Sequence, residues 1–265
     1  IHLANNNRVI ACEFAPNPSR RALAARITAF VVFDLTSGRE ISRLPYSADF
    51  VSQKSACSPD GRYLVICERE SAKLFDLDTQ SLVRSWPVKY GRAIPVIDPN
   101  GATLALCRER EITLWQLPSG EPAGQIPDHP TAIVNAAFDD QGKYFLSSCG
   151  EMTRRWDLDN KSPVTIPVEG RLLWYLATDR QREKVYGTHH IHAGEGGAAS
   201  FDMRSGRRGL YLKNHYSMET DPDNDRLYTI NSYGDESIDA VQVRRLSDPD
   251  EVKYLPFGPQ VREAL

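Results

Sequence analysis

Residues 138–167 read FDDQGKYFLSSCGEMTRRWDLDNKSPVTIP and form one complete structural unit. A polar turn, Asp139-Asp140-Gln141-Gly142, leads into the apolar run Tyr144-Phe145-Leu146. A break at Cys149-Gly150-Glu151 precedes a strand closing on Trp156, and Asp157-Leu158-Asp159-Asn160 turns the chain into a last strand ending at Ile166-Pro167. Short strands punctuated by Gly, Pro, Asp and Asn follow the grammar of consecutive hairpins.

The same unit recurs along the chain. Its central aromatic stands at Phe33, Phe75, Trp115, Trp156 and Phe201, and Val243 is read as the sixth occupant, with spacings of 42, 40, 41, 45 and 42 residues. Two other landmarks keep this beat. Ser58-Pro59-Asp60-Gly61, Asp98-Pro99-Asn100-Gly101, Asp139-Asp140-Gln141-Gly142 and Asp221-Pro222-Asp223-Asn224 are versions of one turn. Leu44-Pro45, Trp86-Pro87, Ile126-Pro127, Ile166-Pro167 and Leu255-Pro256 are versions of one strand end. A period of about 40–45 residues holding four strands is the mark of a propeller blade. The expected fold is an all-β β-propeller with six visible four-stranded blades, open to a seventh or more in a longer chain. The expected blades are 1–46, 47–88, 89–128, 129–168, 169–214 and 215–265, forming a single domain, because a blade hides its apolar faces only against its neighbours. Ile1-His2-Leu3 falls in the phase of a preceding last strand, so the reading expects a longer polypeptide with further domains upstream.

In the first unit, Arg8 to Phe14 is expected as the first strand, Ala22 to Ile27 as the second and Ala29 to Leu35 as the third, with Ala15-Pro16-Asn17-Pro18 replacing the usual turn. Tyr63-Leu64-Val65-Ile66 and Thr103-Leu104-Ala105-Leu106 are near-continuous apolar runs, as expected of strands covered on both faces. The fifth unit carries an insertion, Thr188 to Gly197, read as a lengthened Gly-rich hairpin.

Composition narrows the function. The 265 residues are 41% hydrophobic and 25% charged, and 32 basic against 35 acidic side chains give a net charge of −3. No basic field is present to draw nucleic acid, and no apolar run reaches the ~18–20 residues of a membrane span. The five cysteines, Cys12, Cys57, Cys67, Cys107 and Cys149, lack CxxC or Cys/His ligand spacing and read as small strand residues. Their reduced character points to the cytoplasm. His190 and His192 stand two apart, so on a strand they share a face and could chelate a metal; plain surface histidines are the other reading. No Ser/His/Asp or Cys/His spacing demands catalysis, and no cofactor is expected.

With Val32-Phe33-Asp34-Leu35, Leu74-Phe75-Asp76-Leu77, Leu114-Trp115-Gln116-Leu117 and Arg155-Trp156-Asp157-Leu158, the chain resembles the WD-repeat β-propeller family in degenerate form. The family's Gly-His pair is absent, and the Ser/Thr of its second strand falls on Cys67, Cys107 and Ser148. The resemblance therefore implies an incomplete polar tetrad and more reliance on apolar packing between blades. It also implies that hairpins between second and third strands form the partner-binding rim, here Arg69, Glu70, Arg108, Glu109, Arg110, Glu111, Glu151 and Glu195. Phe33, Phe75, Trp115, Trp156 and Phe201 are expected in the core. The expected function is a non-catalytic, protein- or peptide-binding scaffold; the alternative is a lactonase- or hydrolase-like enzyme with a metal near the channel mouth.

Overall fold

The computed structural model describes residues 2–3, 8–14, 26–34, 36–49, 54–68, 70–88, 93–127, 129–149, 152–159, 163–166, 173–179, 181–191, 195–205, 207–213, 215–221, 224–231 and 240–256. Among them there is no helix. The strands form six four-stranded antiparallel sheets. The first holds β1 (His2–Leu3), β2 (Arg8–Phe14), β3 (Arg26–Asp34) and β4 (Glu40–Asp49). The second holds β5 (Lys54–Cys57), β6 (Tyr63–Cys67), β7 (Ser71–Asp76) and β8 (Ser81–Pro87). The third holds β9 (Ile94–Ile97), β10 (Thr103–Arg108), β11 (Glu111–Gln116) and β12 (Pro122–Ile126). The fourth holds β13 (Ile133–Phe138), β14 (Tyr144–Cys149), β15 (Thr153–Asp157) and β16 (Pro163–Ile166). The fifth holds β17 (Leu173–Asp179), β18 (Lys184–Ile191), β19 (Glu195–Asp202) and β20 (Arg208–Lys213). The sixth holds β21 (His215–Asp221), β22 (Arg226–Asn231), β23 (Ala240–Arg245) and β24 (Val252–Pro256). In each sheet the strands pair in chain order. The chain groups into two compact units, Ile1–His129 and Pro130–Leu265, of three sheets each.

The recurring turns have a shared cause. Ser58, Asp98, Asp139 and Asp179 are all buried and each caps the turn between the first and second strands of its sheet. Ser58 Oγ accepts from the Tyr63 N–H at 2.8 Å, Asp98 Oδ1 from Thr103 at 2.9 Å, Asp139 Oδ1 from Tyr144 at 2.8 Å and Asp179 Oδ1 from Arg182 at 3.0 Å. A buried carboxylate is tolerated where backbone donors satisfy it. Gly61, Gly101 and Gly142 take the left-handed position, at φ of 67°, 72° and 69°. The aspartate that follows the aromatic caps the next turn: Asp76 Oδ1 accepts from the N–H of Asp78 and Thr79, and Asp202 Oδ1 from those of Arg204 and Ser205. The aromatic-Asp pair thus joins a packing residue to a turn cap.

Face-to-face packing follows from strand alternation. In the second sheet Leu64, Ile66, Phe75 and Leu77 pack with Ile10, Phe30, Val32 and Tyr46 of the first. Val65, Cys67, Leu74 and Trp86 point the other way and pack with Leu104 and Leu106 of the third. In the other unit Phe201, Val185 and Leu176 meet Leu146, while Tyr186 and Ala198 meet Met218, Leu227 and Leu246. Trp156, Phe201 and Phe75 are buried. Phe33 and Trp115 are half-buried. Phe33 lies on the face of the first sheet turned away from the second, opposite Phe30 and Val32. Trp115 packs at the margin of its cluster, 5.5 Å from the Trp86 ring, with its indole N–H donating to Thr113 Oγ1 at 3.0 Å. A register shift immediately before Phe33, Phe75, Trp115 and Phe201 sets each aromatic against its outer strand.

Three expectations are corrected and a fourth is borne out. His2–Leu3 pairs with β2 as the first strand of the same sheet, so Arg8–Phe14 is the second strand. Arg26–Asp34 is one long strand, not two, because the chain absorbs Thr28 as a local irregularity in the ladder; Ala15 to Ala25 lies outside the described residues. The fifth unit's insertion forms the lengthened hairpin expected of it, paired as far as Ile191 opposite Glu195, with His190 opposite Gly196 and His189 opposite Gly197. Glycine serves close approach there: a Cβ on Gly197 would lie 2.3 Å from the Leu212 carbonyl oxygen. Finally, Arg244, not Val243, holds the aromatic's place in the sixth sheet. Leu227 opposite Arg244 is the equivalent of Val185 opposite Phe201 and Phe145 opposite Trp156.

Candidate binding rim

The hairpins joining second to third strands carry the candidate rim. In the second sheet the turn closes with Glu68 N–H donating to Ser71 O at 2.7 Å, and Val88 N–H of the following linker donates to Glu70 O at 2.8 Å. The Glu68 carboxylate accepts from Lys73 Nζ at 2.8 Å, from Ser71 Oγ at 2.9 Å and from the Tyr46 hydroxyl of the first sheet. Burial works against its ionisation, but these donors outweigh that and hold the carboxyl below its usual range. Burial, then the Glu68 carboxylate, pushes the Tyr46 hydroxyl up, so it stays a donor.

In the third sheet Arg108 pairs with Glu111 across a two-residue tip, and their side chains form an ion pair. Glu109 sits at φ 48°, left-handed for a residue with a Cβ. Arg110 reaches back: its Nε donates to His129 O at 2.5 Å, and His129 N–H donates to Arg110 O at 2.9 Å. Both hairpins are therefore sewn to the linker that leaves their own sheet. Glu70, Glu109, Arg110 and Glu111 remain exposed, and Arg108 is half-buried.

Arg69, Glu151 and His192 lie outside the described residues, as do the side chains of Glu195 and His190; the backbones of these last two belong to β19 and β18. The metal reading of His190 and His192 thus falls outside what is described. Among the described residues no group of three or more His, Cys, Asp or Glu gathers to hold a metal. Cys67 and Cys107 are buried and Cys57 is half-buried, all as free thiols. Burial pushes the Cys57 and Cys67 thiols up to about 12 and raises Cys107 as well, so none of the three is a thiolate at neutral pH. Polar locking inside the blades is local: the Trp156 indole N–H donates to Ser147 Oγ at 2.8 Å, and Thr153 Oγ1 to Ser148 Oγ at 3.2 Å.

Two concavities escaped the sequence reading. One, of about 120 Å³, lies between the second and third sheets beside the rim, over Trp86, Val88, Leu106, Trp115, Arg108 and Glu111. The other, of about 460 Å³, lies on the sixth sheet over Arg226, Tyr228, Val243, Arg245, Glu251 and Lys253. Tyr228, Val243 and Lys253 stand in one cross-strand row, which is visible in sequence only once the register is known.

No protein-family model matches the chain, and no curated protein matches it. Among solved structures it is similar to a chain of the crystal structure of the mitotic checkpoint complex, with a TM-score of 0.71 and 13% identity, covering 97% of this chain and 78% of that one. It is also similar to Kuenenia stuttgartiensis hydrazine synthase, with a TM-score of 0.62 and 15% identity, covering 86% of this chain and 74% of that one. At such identity these likenesses show the fold alone: the chain is an all-β β-propeller of four-stranded sheets.

Proposed function

We propose that this chain is a non-catalytic scaffold that binds a protein or peptide through the hairpin tips at 68–71 and 108–111. The observation that supports this most is the pairing of exposed charge with a tied backbone. Glu70 and Arg110 are held through their carbonyls by the linker amides of Val88 and His129, while the side chains of Glu70, Glu109, Arg110 and Glu111 face solvent. Short loops already held in place lose little conformational freedom on binding, which favours affinity. Alternating signs along Arg108-Glu109-Arg110-Glu111 suit a partner with a matching charge pattern rather than a polyanion. The likeness to a chain from a multiprotein complex is compatible with this reading.

The test is affinity capture from a cell extract with wild type and an Arg108→Glu/Glu109→Arg variant. Arg110 is left intact because its side chain ties the hairpin to His129. The reading expects proteins held by wild type and lost by the variant at an unchanged melting temperature. Identical recovery by both would remove this rim as the contact surface.

A further inference from the structure

Trp86 of β8 departs from a rule that Trp115 and Trp156 obey. The indole N–H of Trp115 donates to Thr113 Oγ1, and that of Trp156 donates to Ser147 Oγ. Trp86 is only 4% exposed, and its buried Nε1 has no acceptor among the described residues. A buried indole N–H ordinarily has a partner, so an orphaned one calls for an acceptor that the sheets themselves do not supply.

The same indole walls the cavity of about 120 Å³ between the second and third sheets. The Trp115 ring, Val88 and Leu106 add apolar wall, and Arg108 and Glu111 line it from the hairpin at 108–111. An apolar cavity of ~150 Å³ takes one benzene molecule, so this one has room for a side chain of about five non-hydrogen atoms. Its polar groups select the head of that side chain. Arg108 and Glu111 are paired with each other, and Glu111 is the more exposed, at 54% against 29%. An incoming carboxylate would be repelled by Glu111. An incoming ammonium would be repelled by Arg108 and has no lone pair for the Trp86 N–H. A hydroxyl has a single oxygen to serve both a buried donor and a carboxylate nearer solvent. A carboxamide carries acceptor and donor on separate atoms and brings no net charge.

We propose that this cavity is a carboxamide subsite that takes a glutamine side chain of the partner. The amide oxygen accepts from Trp86 Nε1, the amide NH₂ donates to the Glu111 carboxylate, and the two methylenes lie between Trp115, Val88 and Leu106. A carboxylate has enough lone pairs to accept this bond and keep Arg108. The partner's identity as a protein rests on the rim reading, since the hairpin that would hold the partner segment also lines the cavity.

The test uses propionamide, which is the glutamine side chain without its backbone, against propionate, propylammonium and 1-propanol. Each is titrated to the order of 100 mM into the ¹⁵N-labelled protein while the Trp86 indole N–H signal is followed by NMR. Propionamide is expected to shift that signal downfield and to saturate, and the other three to bind more weakly. Glu111→Ala removes the acceptor and frees Arg108, so in this variant propionate is expected to bind more tightly than propionamide. Ala93, buried in the cavity wall, is replaced by Leu to fill the space, and Ala93→Leu is expected to lose the response. If Ala93→Leu does not fold, Glu111→Ala carries the test, because the Glu111 side chain is exposed. No saturable shift with propionamide, as for a cavity that holds water only, would overturn the proposal. So would equal binding of propionate by wild type, or an unchanged order in Glu111→Ala. The probe needs no partner, so the two readings fail separately. Protein capture through the rim without propionamide binding would keep the rim and remove the subsite. Propionamide binding without capture would keep the carboxamide site and remove the rim.

Discussion

Asp139 joins two scales in one side chain: it is buried, and its Oδ1 takes the Tyr144 N–H that starts the next strand. Asp139→Ala leaves that donor unmet, which costs about 1–3 kcal/mol; urea unfolding is expected to show a lower midpoint at unchanged slope. Gly101 poses a different constraint. A Cβ there would meet Pro59 Cδ only at 3.6 Å, so space is adequate and the obstacle is φ 72°. Gly101→Ala is therefore expected to cost about 1 kcal/mol through the backbone alone. Trp156 is fully buried and its N–H is bonded to Ser147, so Trp156→Ala is expected to cost roughly 3–5 kcal/mol and lower the melting temperature by roughly 10 °C. An unchanged melt would show that the position is not core. These residues were legible because turn caps and packing aromatics leave chemically specific marks at a fixed period. Arg244 was not. With no aromatic on β23, the third strand of the sixth sheet, the apolar pair Val241 and Val243 suggested a phase one residue early, and only the pairing of Leu227 with Arg244 corrects it.

At the scale of elements, the sixth sheet shows how a missing mark is replaced. Arg245 stands where the first, second, fourth and fifth sheets have the turn-capping aspartate, and Asp225 supplies the cap from the neighbouring turn. The Ser247 N–H donates to Asp225 Oδ1 at 2.9 Å, and Arg182 of the fifth sheet bonds to the same oxygen at 2.5 Å. Hydrogen bonds from Ser247 hold the Asp225 carboxyl below its ordinary value, and those from Ser205 do so for Asp202. At Asp76 burial opposes ionisation, yet Arg62 and the turn amides prevail. A carboxyl whose pKa is lower folded than unfolded contributes stability above its unfolded value. That contribution is lost as pH falls through the folded value. With ordinary values of 3.8 for these aspartates and 4.5 for Glu68, the urea midpoint is expected to be flat from pH 7 to 5 and to fall below about pH 4. Asp76→Asn is expected to flatten part of that fall. The candidate rim was legible at this scale as charged hairpin tips. The tethers behind it were not, because Val88 and His129 act through backbone amides that any residue but proline supplies.

At the scale of the whole molecule, three four-stranded sheets make up each compact unit, and oily faces between consecutive sheets hold each unit together. Polar links add to this at both ends of the first two sheets. Arg8 reaches Asp78 at 2.8 Å beside the turns, and Tyr46 reaches Glu68 beside the hairpins. The Arg8–Asp78 pair is partly exposed and contributes ~0–1 kcal/mol, so packing dominates. A binding surface built on such a frame is useful only if its tips are held before the partner arrives. Hydrogen exchange of the Val88 and His129 amides measures that directly in the free protein. The account predicts slowing on the order of hundredfold or more relative to an unstructured chain. Exchange of both amides at the unstructured rate would mean that the hairpins are not tethered, and would contradict the account.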